Sequence, residues 1–219
     1  MAYEICLFDL DGTLTDPKIG ITKSYQTALA AFGIHEELDN LTRFIGPPLR
    51  GVFEEHYGFS AADSEKAVAR FRQYFTQKGL LENTVYPGIP DLLQQLKASG
   101  KTLAVVTNKV TEYTCRILAH FQLDSYFSFV SGDDMDGSLT VDGKCGLIRI
   151  ALDALDPQRE RPAVMIGDRE HDIIGATQAG IDSVGVTYGY GSGGELLAAK
   201  STFIVNSVTE LKFFFEGFM

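Results

Sequence analysis

The chain contains 219 residues, of which 45% are hydrophobic and 22% charged, a composition typical of a globular protein with a sizeable core. Its formal net charge of −10 argues against nucleic-acid binding by the general surface, and its apolar runs are far shorter than a membrane span. The widely spaced Cys6, Cys115 and Cys145 match no zinc pattern, and the first residues lack the basic region of a secretory signal. We therefore expect reduced thiols in a cytoplasmic protein.

The first predicted element is a short apolar strand, residues 3–8, followed by the string Asp-Leu-Asp-Gly-Thr-Leu-Thr-Asp at residues 9–16. Side chains two residues apart on an extended chain point to the same side, so Asp9 and Asp11 are expected to share one small volume. Carboxylates that close repel each other unless a cation lies between them. The pair suits a hard divalent ion such as Mg²⁺, and a strand that merely ends in an Asp-Gly turn is the alternative.

Residues 19–79 have apolar side chains at helical spacing and show no strand pattern. The spacing predicts helices at 19–33, 36–44 and 60–77, and a rigid turn at 45–50 followed by a short helix through residue 56. A helical block at this place is typical of an inserted cap. We predict an α-helical cap at residues 17–83 and a core domain made of residues 1–16 and 84–219.

From residue 86 onward strands and helices alternate, which predicts an α/β fold with a parallel sheet. The predicted strands are 102–106, 127–131, 163–166, 183–186 and 202–205, and the predicted helices are 89–99, 111–121, 144–155, 170–179, 195–199 and 208–215. Open parallel sheets bind ligands at the carboxyl ends of their strands. Asp9, Thr107 and Asp168 all follow predicted strands directly, so we expect them at one edge of the sheet.

Thr107 stands between a predicted strand and a predicted helix. Its hydroxyl, together with backbone N–H groups at a helix N-terminus, is suited to bind an anionic oxygen. Asn108 would add its amide, and Lys109 its ammonium. A Thr that only caps the next helix and a Lys that is only solvated are the alternatives.

The string Gly-Asp-Arg-Glu-His-Asp at residues 167–172 follows the apolar strand at 163–166. Asp168 would join the other carboxylates at the sheet edge, or would cap the next helix. Asp172, one helical turn further on, would orient Asp168 or Lys144, or hold a metal-bound water. His171 is expected on the exposed side of this helix.

Four strings in this order resemble the motifs of the haloacid dehalogenase (HAD) superfamily. They are Asp-Leu-Asp-Gly-Thr at 9–13, a strand that ends in Thr107, Lys144 at the start of a helix, and Gly-Asp-x-x-x-Asp at 167–172. The resemblance implies a Rossmann-like parallel sheet, the HAD fold, with an α-helical cap inserted after the first motif. The strings Val-Thr-Asn-Lys at 106–109 and Gly-Pro-Pro-Leu at 46–49 are most similar to phosphoglycolate phosphatases and their relatives, which include pyrophosphatases and small nucleotidases.

The resemblance implies a Mg²⁺-dependent phosphatase that acts through an aspartyl-phosphate. In that scheme Asp9 is the nucleophile, Asp11 is the acid and base, and Lys144 bridges Asp9 and the phosphate. The metal would be held by Asp9, Asp11, Asp168 and Asp172, and the substrate by Thr107, Asn108, Lys109 and, from the cap turn, Arg50. A solvated role for Arg50 is the alternative.

Several alternatives share part of this pattern. A sugar-phosphate mutase of the β-phosphoglucomutase type has the same core motifs, and a pyrophosphatase differs in substrate alone. A haloacid dehalogenase needs neither a metal nor Asp11, and a phospho-acceptor regulator has no helical insertion after its first strand. We expect a small phosphorylated metabolite as substrate, such as phosphoglycolate or a nucleoside monophosphate, with no nucleic-acid or membrane partner.

Two further stretches of the sequence predict a hairpin and a packed aromatic tail. The string Asp-Met-Asp-Gly-Ser-Leu-Thr at 134–140 echoes the first motif, but lies in a Gly/Asp-rich stretch, 132–143, that predicts a hairpin. The aromatic tail at 213–218 would pack on its own sheet or on a second subunit, so a monomer and a homodimer are both compatible with the sequence.

Overall fold

The computed structural model describes residues 3–135 and 142–217. The chain divides into two compact units. The core unit is formed by Met1–Thr15 and Val85–Met219, and the helical unit by Asp16–Thr84. Each unit has its own buried core, as described below.

The core unit is built on a six-stranded sheet in which all strands run parallel. Its strands are β1 (Ile5–Phe8), β4 (Thr102–Val110), β5 (Phe129–Asp133), β6 (Ala163–Gly167), β7 (Asp182–Val186) and β8 (Phe203–Val205). They lie side by side in the order β5-β4-β1-β6-β7-β8. Two short strands, β2 (Thr15–Asp16) and β3 (Thr84–Val85), pair separately. Strand β1 lies in the middle of the large sheet and is buried along its whole length, as its continuous apolar run requires. The α/β prediction is confirmed.

The helical unit contains α1 (Lys18–Ala30), α2 (Leu38–Leu41), α3 (Leu49–Gly51) and α4 (Ala61–Tyr74). Wider π turns continue α3 and α4 at Val52–His56 and Phe75–Gly79, and a 3₁₀ turn follows α2 at Thr42–Phe44. Its core is aromatic: the ring of Tyr25 lies 5.6 Å from those of Phe44 and Phe53 and 4.8 Å from that of Phe71. The predicted helix at 36–44 corresponds to α2 and the 3₁₀ turn after it, and it begins two residues later than predicted, at Leu38.

Six helices flank the large sheet in the described part of the core unit. They are α5 (Ile89–Ala98), α6 (Thr111–His120), α7 (Gly143–Leu155), α8 (Glu170–Ala179), α9 (Gly193–Ala198) and α10 (Val208–Glu216). Side chains of β1, β4 and β6 pack under α7 and α8 in one apolar cluster that includes Leu7, Val106, Leu147, Met165 and Ala176. This cluster fixes the two helices that carry the polar residues described below.

Strand β4 departs from the prediction, which ended it at residue 106. It pairs with β5 through Val106 and Ser131 and again through Val110 and Asp133. Between these two pairs β4 advances by four residues and β5 by two, so β4 contains two extra residues. The extra residues form a β-bulge that includes Thr107. A bulge is set by the neighbouring strand, and the polar residues after Val106 do not reveal it.

The aromatic tail packs on the core unit itself. The Phe214 ring lies 6.2 Å from that of Tyr3 and 5.0 Å from that of Phe203, and Phe215 is buried. Residue 218 of the tail and residues 136–141 of the predicted hairpin lie outside the described residues. Among the helices of the described ranges, none combines the length and apolar character needed to cross a membrane.

Candidate active site

Asp9 begins the site at the end of β1. Phe8 pairs with Val105 and Ile166, Val106 pairs with Ser131, and Gly167 pairs with Gly185. Asp9, Thr107 and Asp168 therefore each follow a paired residue at one edge of the sheet. The Asp9 N–H donates to the carbonyl of Ile166 over 2.9 Å, which extends the pairing to Asp9 itself. Its carboxylate is fixed in turn by the Leu10 N–H, which donates to Oδ1 over 2.7 Å. The sheet therefore places this carboxylate with little freedom.

Lys144, the second residue of α7, joins Asp9 to Asp172. Its Nζ lies 2.9 Å from Oδ1 of Asp9 and 2.8 Å from Oδ1 of Asp172, and all three side chains are buried. Residues Lys144 and Asp172 belong to α7 and α8, which pack tightly where Gly175 approaches the Lys144 backbone; a Cβ on Gly175 would lie 2.8 Å from Cβ of Lys144. The close helix packing thus brings the lysine to the end of β1.

Asp168 is fully buried and is held by neutral groups. The Tyr190 N–H donates to its Oδ2 over 2.7 Å, and the Thr13 hydroxyl lies 3.5 Å from its Oδ1. No ion pair among the described residues includes Asp168. A buried carboxylate without a cationic partner is costly, so its place at this edge indicates a ligand of positive charge.

Glycines allow the chain to close around Asp168. Gly12 has a φ of +82°, and a Cβ there would collide with the Asp168 carboxylate. Cβ atoms on Gly189 and Gly191 would collide with the side chain and the carbonyl of Asp168. The first motif and the segment after β7 therefore both approach this carboxylate more closely than any other residue type would permit.

The β4 bulge supplies the remaining polar groups of the core unit. Thr107 is buried, and its Oγ1 accepts from the Lys109 N–H over 3.3 Å. The Lys109 Nζ lies 2.7 Å from Oδ2 of Asp11, where both side chains are nearly buried. Asn108, which lies between Thr107 and Lys109 in the sequence, is half-buried. The predicted substrate-binding string thus contacts the first motif through Lys109.

Two further residues from the sequence predictions are Arg50 and His171. Arg50 belongs to the helical unit, where its half-exposed guanidinium lies 3.6 Å from Glu65 and 3.9 Å from Glu54. His171 is half-buried rather than exposed, and burial lowers its pKa to about 4. The prediction for His171 was wrong because the start of α8 lies against the site instead of facing solvent.

Burial dominates the electrostatics of these groups. It raises the pKa of Asp9 to about 6, although the Lys144 ammonium opposes the rise, and it raises the pKa of Asp168 well above its usual range. Burial also acts to raise the pKa of Asp172, but the Lys144 ammonium, His171 and the Arg169 N–H together outweigh it, so this pKa is lowered. The ammonium of Lys144 is itself retained, since Asp172 and Asp9 outweigh the effect of its burial and raise its pKa.

A divalent cation fits this donor set. The site contains four carboxylates (Asp9, Asp11, Asp168 and Asp172) and the two ammonium groups of Lys109 and Lys144, so two negative charges remain unbalanced when all six ionise. Oδ1 of Asp11 is buried and accepts no hydrogen bond from the described residues. Ligand atoms of Asp9, His171 and Asp172 also lie within 4.8 Å of one another, but Lys144 already contacts both of these carboxylates. Asp168, by contrast, forms no ion pair with any residue of the described ranges.

Sequence reasoning missed the segment between β7 and α9. Its string Tyr-Gly-Tyr-Gly-Ser-Gly-Gly at 188–194 looks like an ordinary loop, yet Tyr190 and two glycines surround Asp168. The Tyr188 hydroxyl also donates to the Thr13 carbonyl over 2.9 Å. The available signal was the run of glycines directly after the carboxyl end of a strand, where close approach to a site is common.

Comparison with known proteins agrees with the fold. A family model described as haloacid dehalogenase-like hydrolase matches residues 6–186. A 5'-nucleotidase of Pseudomonas aeruginosa is 46% identical over 203 residues, which cover 92% of this chain and 90% of that protein. The tyrosine-protein kinase PtkA of Mycobacterium tuberculosis is 36% identical over 94% of this chain and 69% of that protein.

A solved structure is also similar to this chain in fold and in sequence. It is described as a predicted phosphatase from Clostridium acetobutylicum, has a TM-score of 0.93 and 44% identity, and the match covers 99% of this chain and 100% of that one. The resemblance seen in the sequence motifs is confirmed. The chain belongs to the haloacid dehalogenase-like hydrolase family, and it is a phosphatase of that family.

Proposed function

We propose that this phosphatase hydrolyses a small phosphomonoester, in the first instance a nucleoside 5'-monophosphate, in two steps with Mg²⁺. The observation that carries the proposal is the buried Lys144 ammonium between Asp9 and Asp172, together with the buried carboxylate of Asp168, which forms no ion pair with any described residue. The choice of nucleotide is supported by the similarity to the 5'-nucleotidase of Pseudomonas aeruginosa.

In the first step an oxygen of Asp9 attacks phosphorus and forms an aspartyl-phosphate. The bond between phosphorus and the ester oxygen breaks, and protonated Asp11 gives its proton to the leaving alcohol. The backbone pairing of Asp9 with Ile166 supports this role, because a nucleophile held by the central strand loses little freedom on reaction.

In the second step Asp11 takes a proton from water, and the resulting hydroxide attacks phosphorus. The bond between phosphorus and Asp9 breaks, which restores the Asp9 carboxylate and releases inorganic phosphate. The contact of Asp11 with Lys109 over 2.7 Å supports this role, since it gives the Asp11 carboxylate a fixed orientation.

The transferring phosphoryl oxygens would be bound by the Thr107 hydroxyl, the Asn108 amide and the ammonium of Lys144. Lys109 would bind a substrate oxygen as well as Asp11. Hydrogen-bond donors at the phosphoryl oxygens, where negative charge increases, would stabilise the transition state electrostatically.

The metal would be held by Asp9, Asp168 and the backbone carbonyl of Asp11. Asp172 would act through its contact with Lys144 or hold a metal-bound water. A bound Mg²⁺ supplies charge neutralisation at the phosphoryl oxygens. The charge imbalance described above supports a divalent ion at this place.

The helical unit would serve as a cap that excludes bulk water, with Arg50 as a contact for the substrate beyond its phosphate. Arg50 is half-exposed and its ion pairs with Glu54 and Glu65 are long, so it can change partners at little cost. We further propose a cytoplasmic enzyme that acts as a monomer or homodimer on a metabolite, without nucleic-acid or membrane partners.

The similarity to the kinase PtkA supports a second candidate, phosphoryl transfer to a tyrosine side chain. Both reactions would begin at the same Asp9, and they differ in the acceptor of the phosphoryl group. A mutase would likewise return the group to a sugar instead of to water.

The test measures phosphate release from nucleoside 5'-monophosphates, phosphoglycolate, pyrophosphate and glucose 1-phosphate, with Mg²⁺ and with EDTA. Parallel reactions supply ATP with a tyrosine peptide, or the sugar phosphate alone, to detect transfer. We expect Mg²⁺-dependent release that is fastest with a nucleotide and lost in Asp9→Asn. Phosphate release that persists in Asp9→Asn would contradict the role of Asp9 as the nucleophile. Phosphoryl transfer without phosphate release would favour the kinase or the mutase reaction.

A further inference from the structure

Helices α9 and α10 begin with the same sequence device, a Ser followed by a Glu three residues later. The Ser192 hydroxyl accepts from the Glu195 N–H over 3.0 Å, and the Ser207 hydroxyl accepts from the Glu210 N–H over 3.1 Å. In this arrangement the Glu side chain ordinarily turns back to the start of its own helix. The two helices differ in whether it does so.

Glu210 follows the ordinary pattern, and Glu195 does not. Oε2 of Glu210 accepts from the N–H of Asn206, just before its own helix, over 2.8 Å. Oε1 of Glu195 instead accepts from Nε of Arg169 over 2.8 Å and from the N–H of Glu170 over 2.9 Å. Glu195 therefore binds the start of another helix, α8.

The residues that Glu195 binds lie between Asp168 and Asp172. The Arg169 N–H donates to Oδ2 of Asp172 over 3.1 Å, while Oδ1 of Asp172 contacts Lys144. Lys144 in turn contacts Asp9. A continuous series of polar contacts thus leads from Glu195 to the nucleophile, all within the core unit.

The segment that carries Glu195 approaches the site from a second direction. Tyr190 donates its N–H to Asp168, and the hydroxyl of Tyr188 donates to the Thr13 carbonyl. The side chains of Arg169 and Glu195 are only 15% and 22% exposed, so their charge-assisted hydrogen bond is partly shielded from water. Glu195 therefore anchors a segment that already holds Asp168.

We propose that Glu195 is a positioning residue of the phosphatase reaction. It fixes the turn Arg169–Asp172, and thereby sets Asp168 in the orientation that binds the metal and Asp172 in the orientation that binds Lys144. The inference rests on the proposed function in one respect, the role of Asp168 as a metal ligand.

The test compares Glu195→Gln and Glu195→Ala with the matched variant Glu210→Gln. Mg²⁺ binding is measured by calorimetry without substrate, kcat and KM are measured with the best phosphoester, and folding is followed by thermal melts. Glu195→Gln keeps the shape of the side chain and one acceptor, so it remains informative if Glu195→Ala does not fold. We expect about tenfold weaker Mg²⁺ binding and an about tenfold lower kcat in Glu195→Gln, with a larger loss in Glu195→Ala.

Glu210→Gln removes the same charge from the same kind of helix start, so it should leave Mg²⁺ binding and kcat at the wild-type values. A purely structural role for Glu195 would lower the melting temperature without changing Mg²⁺ affinity, and that result would overturn the inference. Wild-type protein that neither binds Mg²⁺ nor hydrolyses any phosphoester would overturn the proposed function itself. The two failures are therefore distinguishable.

Discussion

The Nζ of Lys109 lies 2.7 Å from Oδ2 of Asp11, and only 9% and 11% of the two side chains are exposed. Lys109 reaches Asp11 because the β4 bulge lifts residues 107–109 out of the regular strand register. The pair gives the acid and base of the proposed mechanism a fixed cationic neighbour.

We expect Lys109→Met to lower the free energy of unfolding by about 3 kcal/mol, since it leaves Asp11 buried without its partner. It should also reduce kcat at least tenfold, because the Asp11 carboxylate loses its fixed orientation. Chemical denaturation and steady-state kinetics measure the two effects. Lys66→Met is the control: it breaks an exposed pair with Asp63, so little or no loss of stability and no change in kcat are expected. Equal losses in the two variants would contradict the importance of burial.

Gly12 offers a prediction about the close approach to Asp168. Gly12→Ala should abolish Mg²⁺ binding and turnover, because its Cβ would occupy the space of the Asp168 carboxylate. Gly33→Ala is the matched control, since Gly33 has a similar φ of +73° and open space around its Cβ. The control should cost about 1 kcal/mol of stability from backbone strain alone and retain activity. Calorimetry and melting curves of both variants check this, and an active Gly12→Ala enzyme would refute it.

The raised pKa of Asp168 should make the stability of the metal-free protein depend on pH. Burial and the nearby Asp172 and Asp9 carboxylates raise its pKa in the folded state, so the folded protein binds a proton that the unfolded chain has released. Stability should therefore fall as pH rises above about 4, the pKa of Asp in an unfolded chain.

The variant Asp168→Asn removes that ionisation. In EDTA it should melt at a higher temperature than wild type at neutral pH and show a flatter dependence on pH, while losing Mg²⁺ binding. Melting curves collected in EDTA across the range provide the measurement. A variant that is less stable than wild type at neutral pH would show that Asp168 is not held under electrostatic strain.

The cysteines test the fold independently of catalysis. Cys6 and Cys145 are buried, and burial raises the pKa of the Cys6 thiol to about 12, whereas Cys115 is exposed on α6. Because only the thiolate reacts, a thiol reagent at neutral pH should label Cys115 alone in the folded protein and all three cysteines after unfolding. Peptide mapping identifies the labelled residues, and rapid labelling of Cys6 in the folded protein would contradict the central place of β1.

The sequence predicted the parallel sheet because its strands are short apolar runs separated by amphipathic helices. It also predicted that Asp9, Thr107 and Asp168 would lie at one edge of the sheet, since the carboxyl ends of parallel strands share that edge. The contact of Lys109 with Asp11 was not predictable, because it depends on a bulge set by the pairing of β4 with β5.

The contacts of residues 188–195 were missed for a different reason. Tyr190 acts through its backbone N–H, which every residue except proline possesses, and Glu195 resembles an ordinary helix cap until its partners on α8 are known. Such tertiary contacts leave no periodic trace in the sequence. His171 was misjudged in the same way, because helical spacing alone does not show which neighbour covers a helix start.

The proposed mechanism requires Asp9 to carry the phosphoryl group between two steps. Its most direct measurement is acid quenching and peptide mass spectrometry of Asp11→Asn during reaction with p-nitrophenyl phosphate and Mg²⁺. The good leaving group needs no proton in the first step, whereas hydrolysis of the intermediate needs the base, so the intermediate should accumulate. We expect one phosphoryl group on the peptide that contains Asp9, absent when Asp9 is replaced by Asn or EDTA is present. Turnover by the wild type with no adduct on Asp9 in Asp11→Asn, or an adduct on another residue, would contradict it.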